Sequence, residues 1–176
     1  FTTNDSRYFI YNDPRRFGLL KILNEGDKFH LIDNNGPDPF QSIVDAKFLF
    51  KKTRNRKSNV KTILLNNKII SGIGNIYASE ILFDSKISPR KYGNKLTLSQ
   101  CQRIIKSSKK VLKKAIKAGG TTLNDYFNAD SKPGYFKNKL NVYGREGESC
   151  KVCKSKIKHI TQNNRSTYFC VTCQKS

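Results

Sequence analysis

The sequence predicts an α+β chain: strands at its start, helices through its middle and a metal-clasped β-hairpin at its end. Three observations predict it. Aromatic and branched residues cluster around turn signals in the first two dozen positions. Apolar residues between 59 and 118 recur at helical spacing. Four of the five cysteines fall into two CxxC pairs near the C-terminus.

Residues 7–23, RYFIYNDPRRFGLLKIL, read as two strands: Tyr8 and Ile10, then Phe17, Leu19, Leu20 and Ile22, with Asn12-Asp13-Pro14 breaking the run. The turn signals NEGD and NNGPDP make 24–41 a loop. Residues 42–58 start as a short helical or extended piece and end in the basic run KKTRNRKS, a charge-rich connector that suits a domain boundary. A short helix is expected in NVKTILLNNK, stopping at Asn66-Asn67, and a second over 75–84 before SPRK. The third has a capping box at Thr97-x-x-Gln100, apolar positions at Leu98, Cys101, Ile104, Ile105, Val111, Leu112 and Ile116, and a Gly119-Gly120 stop. Its other face carries Lys106, Lys109, Lys110, Lys113 and Lys114. Residues 121–139 form a long polar loop with embedded aromatics, a kind that is functional or disordered. Beyond 140, IKHIT and STYFC read as hairpin arms around an Asn163-Asn164 turn.

The 176 residues carry 34 Lys+Arg against 13 Asp+Glu, a formal net charge of +21. Such self-repulsion is relieved by a polyanion, so nucleic acid is the favoured partner, with ribosomal and architectural proteins as competing classes. No stretch reaches the roughly 18 apolar residues of a membrane span. The first residues are polar and acidic, unlike a signal peptide. The sequence has no methionine and opens inside a predicted strand, so a fragment of a longer protein is expected.

The C-x2-C-x16-C-x2-C spacing of Cys150, Cys153, Cys170 and Cys173 suits one tetrahedral zinc. Four protein ligands leave no open position, so this zinc is structural and holds a hairpin too small to fold alone. Disulfides or iron are the alternatives. Cys101, alone in a helical pattern, reads as a small core residue. Arg165 sits at the hairpin tip, where it either meets a phosphate or is simply exposed.

The stretch IISGIGNIYASEILF, 69–83, places Gly72 and Gly74 before a helix. A dinucleotide fold needs a third glycine after a strand, and here a helix precedes. A helix–turn–helix fits better, with Asn75 and the helix amides on a phosphate beside Lys61. A glycine turn serving only close helix packing is the alternative. In NDPRRFG, Phe17 and Arg15 read either as a wedge filling a vacated base position or as a solvated turn.

Together the blocks YNDPRRFG, IISGIGNIYASEILF, GGTTLNDYF…GYF, LNVYGREGESCKVC and RSTYFCVTCQK closely resemble the bacterial formamidopyrimidine-DNA glycosylases, in order and spacing, from Phe1 to the C-terminus. The resemblance implies that residues 1–50 are the C-terminal portion of an N-terminal catalytic β-sandwich. It implies a helix–two-turn–helix DNA-binding domain with a lid loop over 51–139, and a zinc finger over 140–176. It implies excision of oxidised purines, chiefly 8-oxoguanine and formamidopyrimidines, followed by strand cleavage through β,δ-elimination. The nucleophilic N-terminal proline of that family, and its assisting glutamate and lysine, have no counterpart in these residues. The chain itself is therefore expected to be inactive, with its helical and zinc parts folded and 1–50 partly frayed. One of the family's three wedge residues is missing as well.

Position by position, the resemblance implies that Arg15 and Phe17 fill the gap opposite an extruded base, with Arg16 close to the backbone. Arg56 or Lys57, with Lys61, Asn75, Tyr143 and Arg165, would contact phosphates, and Arg165 would also serve the second elimination. Thr121, Thr122 and Tyr135 would lie in the lid over the flipped base. The implied cofactor is one structural Zn2+. The implied partner is double-stranded DNA carrying an oxidised purine or an abasic site. The protein would be a monomer, bacterial, cytoplasmic and nucleoid-associated. A zinc-containing DNA-binding module without catalysis is the second reading, and a ribosomal or RNA-binding protein the third.

Overall fold

The computed structural model describes residues 2, 4–8, 10–13, 16, 18–27, 29, 34–121 and 139–175. The chain divides into two compact units, Phe1–Asp33 and Asn34–Ser176.

In the first unit the described residues form no strand, and one isolated antiparallel bridge joins Thr2 to Tyr8. The two strands expected over 7–23 are therefore not seen among them. Ile10 is 82% and Ile22 91% exposed, so an isolated strand pair would have no layer on which to bury its apolar face. The turn signal does operate. The Asp13 carboxylate accepts from the Gly18 amide at 2.6 Å, and the Asp13 carbonyl accepts from Arg16 N at 3.1 Å.

The second unit is helical with a hairpin at its end. Helix α1, Ala46–Thr53, starts where the Asp45 side chain accepts from Phe48 N. Helix α2, Val60–Leu64, is capped in the same way by Asn59 on Thr62 N. Helix α3 is Asn75–Asp84 and helix α4 is Leu98–Lys117, the latter with the Thr97/Gln100 capping box formed in both directions. These four helices match the sequence expectations in place, and α1 resolves the helical-or-extended ambiguity of 42–58. Leu49, Ile63, Leu64, Ile81, Leu82 and Ile104 are all but excluded from solvent and form one core. A break after residue 50 would fall inside α1, where Leu49 and Thr53 are both buried. On α4 the apolar stripe is narrower than expected. Leu98 and Ile116 are exposed at 44% and 69%, and Ala115 takes the inward position next to Ile116. Cys101 is buried, which pushes its thiol up to about 11 and leaves it an inert packing group.

Strands β1, Ile157–Gln162, and β2, Arg165–Cys170, pair antiparallel with Gln162 opposite Arg165. Asn163 and Asn164 both have positive φ, 47° and 56°, as a two-residue turn of this twist requires. The hairpin is tied to the helices at its far end. Gln174, buried, accepts from Cys170 N at 2.8 Å and donates to the Ile87 carbonyl at 3.0 Å. Phe83 of α3 packs with Val142 and Ile157 in a second small core.

Candidate nucleic-acid interface

The four cysteine sulfurs lie within 4.8 Å of one another, with Cys150–Cys173 at 3.9 Å and Cys153–Cys170 at 3.3 Å. The donor set fits a dication and little else. Hydrogen bonds from Ser155 pull the Cys153 thiol down to about 6, whereas burial and the neighbouring sulfurs push Cys170 and Cys173 up. Four thiolates at this spacing need a metal's charge to coexist. The four sulfurs form a closed tetrahedral zinc site, structural in role. No disulfide links them.

Zinc matters because of what the hairpin tip carries. Arg165 lines a cavity of about 380 Å³ with Leu65, Asn67, Gly72, Ile73 and Gly74. Gly72 has φ +77°, which favours glycine. Gly74 does not need to be glycine for its backbone, since its φ is −84°. A Cβ on either would meet nothing within 4 Å, so these glycines are not there for close helix packing. They leave open space over the start of α3. Gly74 is the N-cap of α3 and no side chain caps it, so the first amides of the helix face that space without a partner from a cap. The cavity thus combines helix amides, the positive end of the dipole and a guanidinium.

Asn75, the first residue of α3, is bonded to Tyr143 and to the hairpin. Asn75 Nδ2 donates to Tyr143 OH at 3.3 Å and to the Ser166 carbonyl at 3.1 Å, while its Oδ1 is buried without a partner. Because Tyr143 accepts here, its own hydroxyl proton is available to an anion. The Tyr143 ring also meets Tyr168 edge-on at 5.0 Å between centroids.

Lys61 is placed differently from a surface phosphate ligand. It is 1% exposed, and its Nζ donates to the Ser166 carbonyl and to Thr167 Oγ1, both at 2.7 Å. Two of its three donors therefore dock the hairpin onto α2, leaving one. Burial, then the Arg165 charge, push its ammonium down to about 8. The unfolded chain holds this proton up to about pH 10.4, so stability is expected to rise as pH climbs from about 8 towards that value. Anion affinity should move the other way. A bound anion needs the charged lysine, so affinity falls as pH passes about 8 by up to about tenfold per unit. Titrating duplex binding from pH 7 to 9 checks this, and a Lys61→Met variant should lose the pH dependence.

Glu80 is a site residue that pattern reading missed. It is 2% exposed, and its carboxylate accepts from Asn141 N, Asn141 Nδ2, Val142 N and Tyr143 N at 2.8–3.0 Å. It thereby fixes the backbone that presents Tyr143. Its one sequence signal was an acid inside the otherwise apolar run YASEILF. Glu80→Ala is expected to cost about 3 kcal/mol, because four donors lose a charged acceptor. A urea midpoint within error of wild type would contradict this role.

The remaining predicted residues are spread more widely. Arg56 and Lys57 are exposed, and Arg56 Nε donates to the Lys52 carbonyl. Thr121 Oγ1 shares a 3.2 Å hydrogen bond with Tyr77 OH. Arg16 belongs to the first unit, where its φ is 56°. Arg15, Phe17, Thr122 and Tyr135 lie outside the described residues. The structure thus brings together Asn75, Tyr143, Lys61 and Arg165 around Ser166 and the α3 N-terminus.

Residues 35–126 match the H2TH domain of formamidopyrimidine-DNA glycosylase, and residues 147–175 match a zinc finger found in those enzymes and in isoleucyl-tRNA synthetase. A formamidopyrimidine-DNA glycosylase of Wolbachia pipientis from Culex pipiens is 44% identical over 174 residues, covering 99% of this chain and 64% of that protein. The chain thus spans just under two thirds of such a relative's length. The crystal structure of MutM (Fpg) from Thermus thermophilus superimposes with a TM-score of 0.85 at 36% identity, over 92% of this chain and 62% of that one. The Lactococcus lactis Fpg in complex with abasic-site DNA superimposes with a TM-score of 0.76 at 36% identity, over 83% and 54%.

Proposed function

From a chain that belongs to the formamidopyrimidine-DNA glycosylase family, we propose a protein that grips duplex DNA at a damaged or abasic site, as its Lactococcus lactis neighbour does. The observation that carries this reading is the open cavity over Gly72 and Gly74, with uncapped helix amides below it and Arg165 beside it. A phosphodiester fits that cavity. It accepts from the α3 amides, from Tyr143 OH and from Arg165, and it is neutralised by Lys61 through its remaining donor. The zinc hairpin and Lys61 hold Arg165 in register with the helix. In this reading the phosphate beside the lesion is fixed first, and the strand is then held while the base is extruded.

The whole protein's activity is excision of an oxidised purine followed by strand cleavage, with 8-oxoguanine and formamidopyrimidines as substrates. Arg165, already on a phosphate, is placed to assist the second elimination. These residues supply the grip, and the proline, glutamate and lysine of the family's chemistry have no counterpart among them. The wedge role of Arg15 and Phe17, with Arg16 close to the backbone, and the lid role of Thr121, Thr122 and Tyr135 complete the proposal. Its site of action is the bacterial chromosome.

Gly74→Ala tests the grip. The added methyl occupies only open space, so thermal stability should stay unchanged, while duplex affinity falls about tenfold as the phosphate is held off. Unchanged affinity would remove Gly74 from the binding surface. Borohydride trapping on 8-oxoguanine duplex tests the chemistry: this chain should give no covalent adduct, and a version extended through its native N-terminus should give one.

A further inference from the structure

Beside strand β1 lies a larger cavity, about 620 Å³, lined by Asn59, Arg90, Lys91, Tyr92, Lys95 and β1 residues Ile160 and Gln162. Three of its seven lining residues are cationic, and among the described residues none of the three pairs with a carboxylate. Tyr92 stands in it 57% exposed. Nothing in the phosphate grip described above uses these side chains.

The walls are rigid, although they come from a loop. Val60 N donates to the Lys91 carbonyl at 2.8 Å, Gly93 N to Ser58 at 2.9 Å and Asn94 N to Arg56 at 3.0 Å, a short ladder that ties 91–94 to 56–60. Lys91 N donates to the Ser88 carbonyl, and Gln162 Nε2 donates to Pro89, which joins the loop to the hairpin edge. Gly93 is required here, since a Cβ would run into Ile63 Cδ1 and crowd the Arg56 carbonyl. The cavity is preorganised for a ligand, and its chemistry is that of a sugar–phosphate: cations for the phosphate and an aromatic face for the sugar.

Its position names the source of that ligand. Asn59 caps α2 at this cavity, and Leu65 and Asn67, just past the end of α2, line the Gly72–Arg165 cavity. A helix of five residues is about 7.5 Å long, about two steps of a DNA strand at ~3.4 Å each. The exposed cations Arg56 and Lys57 adjoin the same ladder.

We propose that Arg90, Tyr92 and Lys95 form a second backbone anchor, which holds a phosphate of the same duplex a few nucleotides from the one at Gly74. Tyr92 packs on the adjoining deoxyribose, and Lys91 adds charge from the wall. The anchor rests on the DNA-gripping reading and extends its footprint to one flank of the lesion.

The test uses the zinc-loaded chain and abasic-site duplexes with about ten base pairs on one side of the site and either about one or about ten on the other, each orientation titrated at several salt concentrations. Wild type should gain about tenfold when one particular flank is lengthened, and Arg90→Gln with Lys95→Gln should abolish that gain and lower the salt slope by about two. Tyr92→Ala should weaken the long duplex alone. All three side chains are exposed, so melting temperature should not move. Equal affinity of variant and wild type for every duplex, equal loss on short and long ones, or binding of free phosphate alone would overturn the anchor. If Arg165→Gln is also without effect, the DNA-gripping reading falls too. If Arg165→Gln weakens every duplex while the flank variants do nothing, the anchor alone is wrong.

Discussion

Stripping zinc from this protein is expected to abolish the grip on DNA, with a loss of about a hundredfold or more in affinity. Among the described residues the two strands of the hairpin pair only with each other, and an isolated two-stranded ribbon is marginal in water. Without the ion, four sulfurs within 4.8 Å of one another have no shared charge to bind them, so nothing holds the cluster closed. What then comes loose is Arg165, together with the Ser166 and Thr167 acceptors that hydrogen-bond the buried Lys61 ammonium. An ammonium left inside without them should move to solvent and unseat the start of α2. Cys150→Ser should behave as the chelated protein does, since Cys150 is fully buried beneath the hairpin. The helical core should survive, because Leu49, Ile81 and Ile104 make no use of the hairpin. Circular dichroism should therefore keep its helical signal while titrations with duplex go flat. Full affinity in chelated protein would show that the hairpin is not part of the grip.

Arg165→Gln is expected to cost about 10- to 150-fold in duplex affinity, the range for a lost charge-assisted hydrogen bond of about 1.5–3 kcal/mol. It should leave stability intact or slightly raised, because Arg165 is exposed and its charge lies against Lys61. Removing that charge should also let Lys61 keep its proton to higher pH, so the fall in affinity above about pH 8 should move upward. A variant merely misfolded at the hairpin would not shift the pH profile in that direction. Glutamine should restore more than alanine at low salt, since it keeps donors at the tip.

How far the sequence reached depends on what each element needed. Helices α2, α3 and α4 were legible because their apolar spacing, their stops and the Thr97–Gln100 capping box are local, and because the CxxC spacing and the Asn163-Asn164 turn specify the hairpin without outside help. The strands over 7–23 were expected on composition, yet their apolar side chains find no layer to cover them. A strand is a property of its neighbours more than of itself. At the site, Arg165 and Asn75 were legible from their places at a hairpin tip and a helix start. Lys61 was expected to face a phosphate and is instead buried, since nothing in NVKTILL signals that Thr167, more than a hundred positions on, takes one of its donors. Glu80 and Gln174 were missed for the same reason: their partners at 141–143 and at Ile87 are tertiary. The two glycines were legible as a turn, but only the empty space above them separates a ligand's approach from close packing.

Replacing single phosphates of an abasic-site duplex by neutral methylphosphonates, one position at a time, tests the central claim most directly. Against wild type, one position next to the abasic site should lose about tenfold or more, and against Arg165→Gln the same replacement should cost little further, because both changes remove one contact. Small, uniform losses at every position with either protein would mean that the +21 charge binds DNA without a cradle, and would contradict the account.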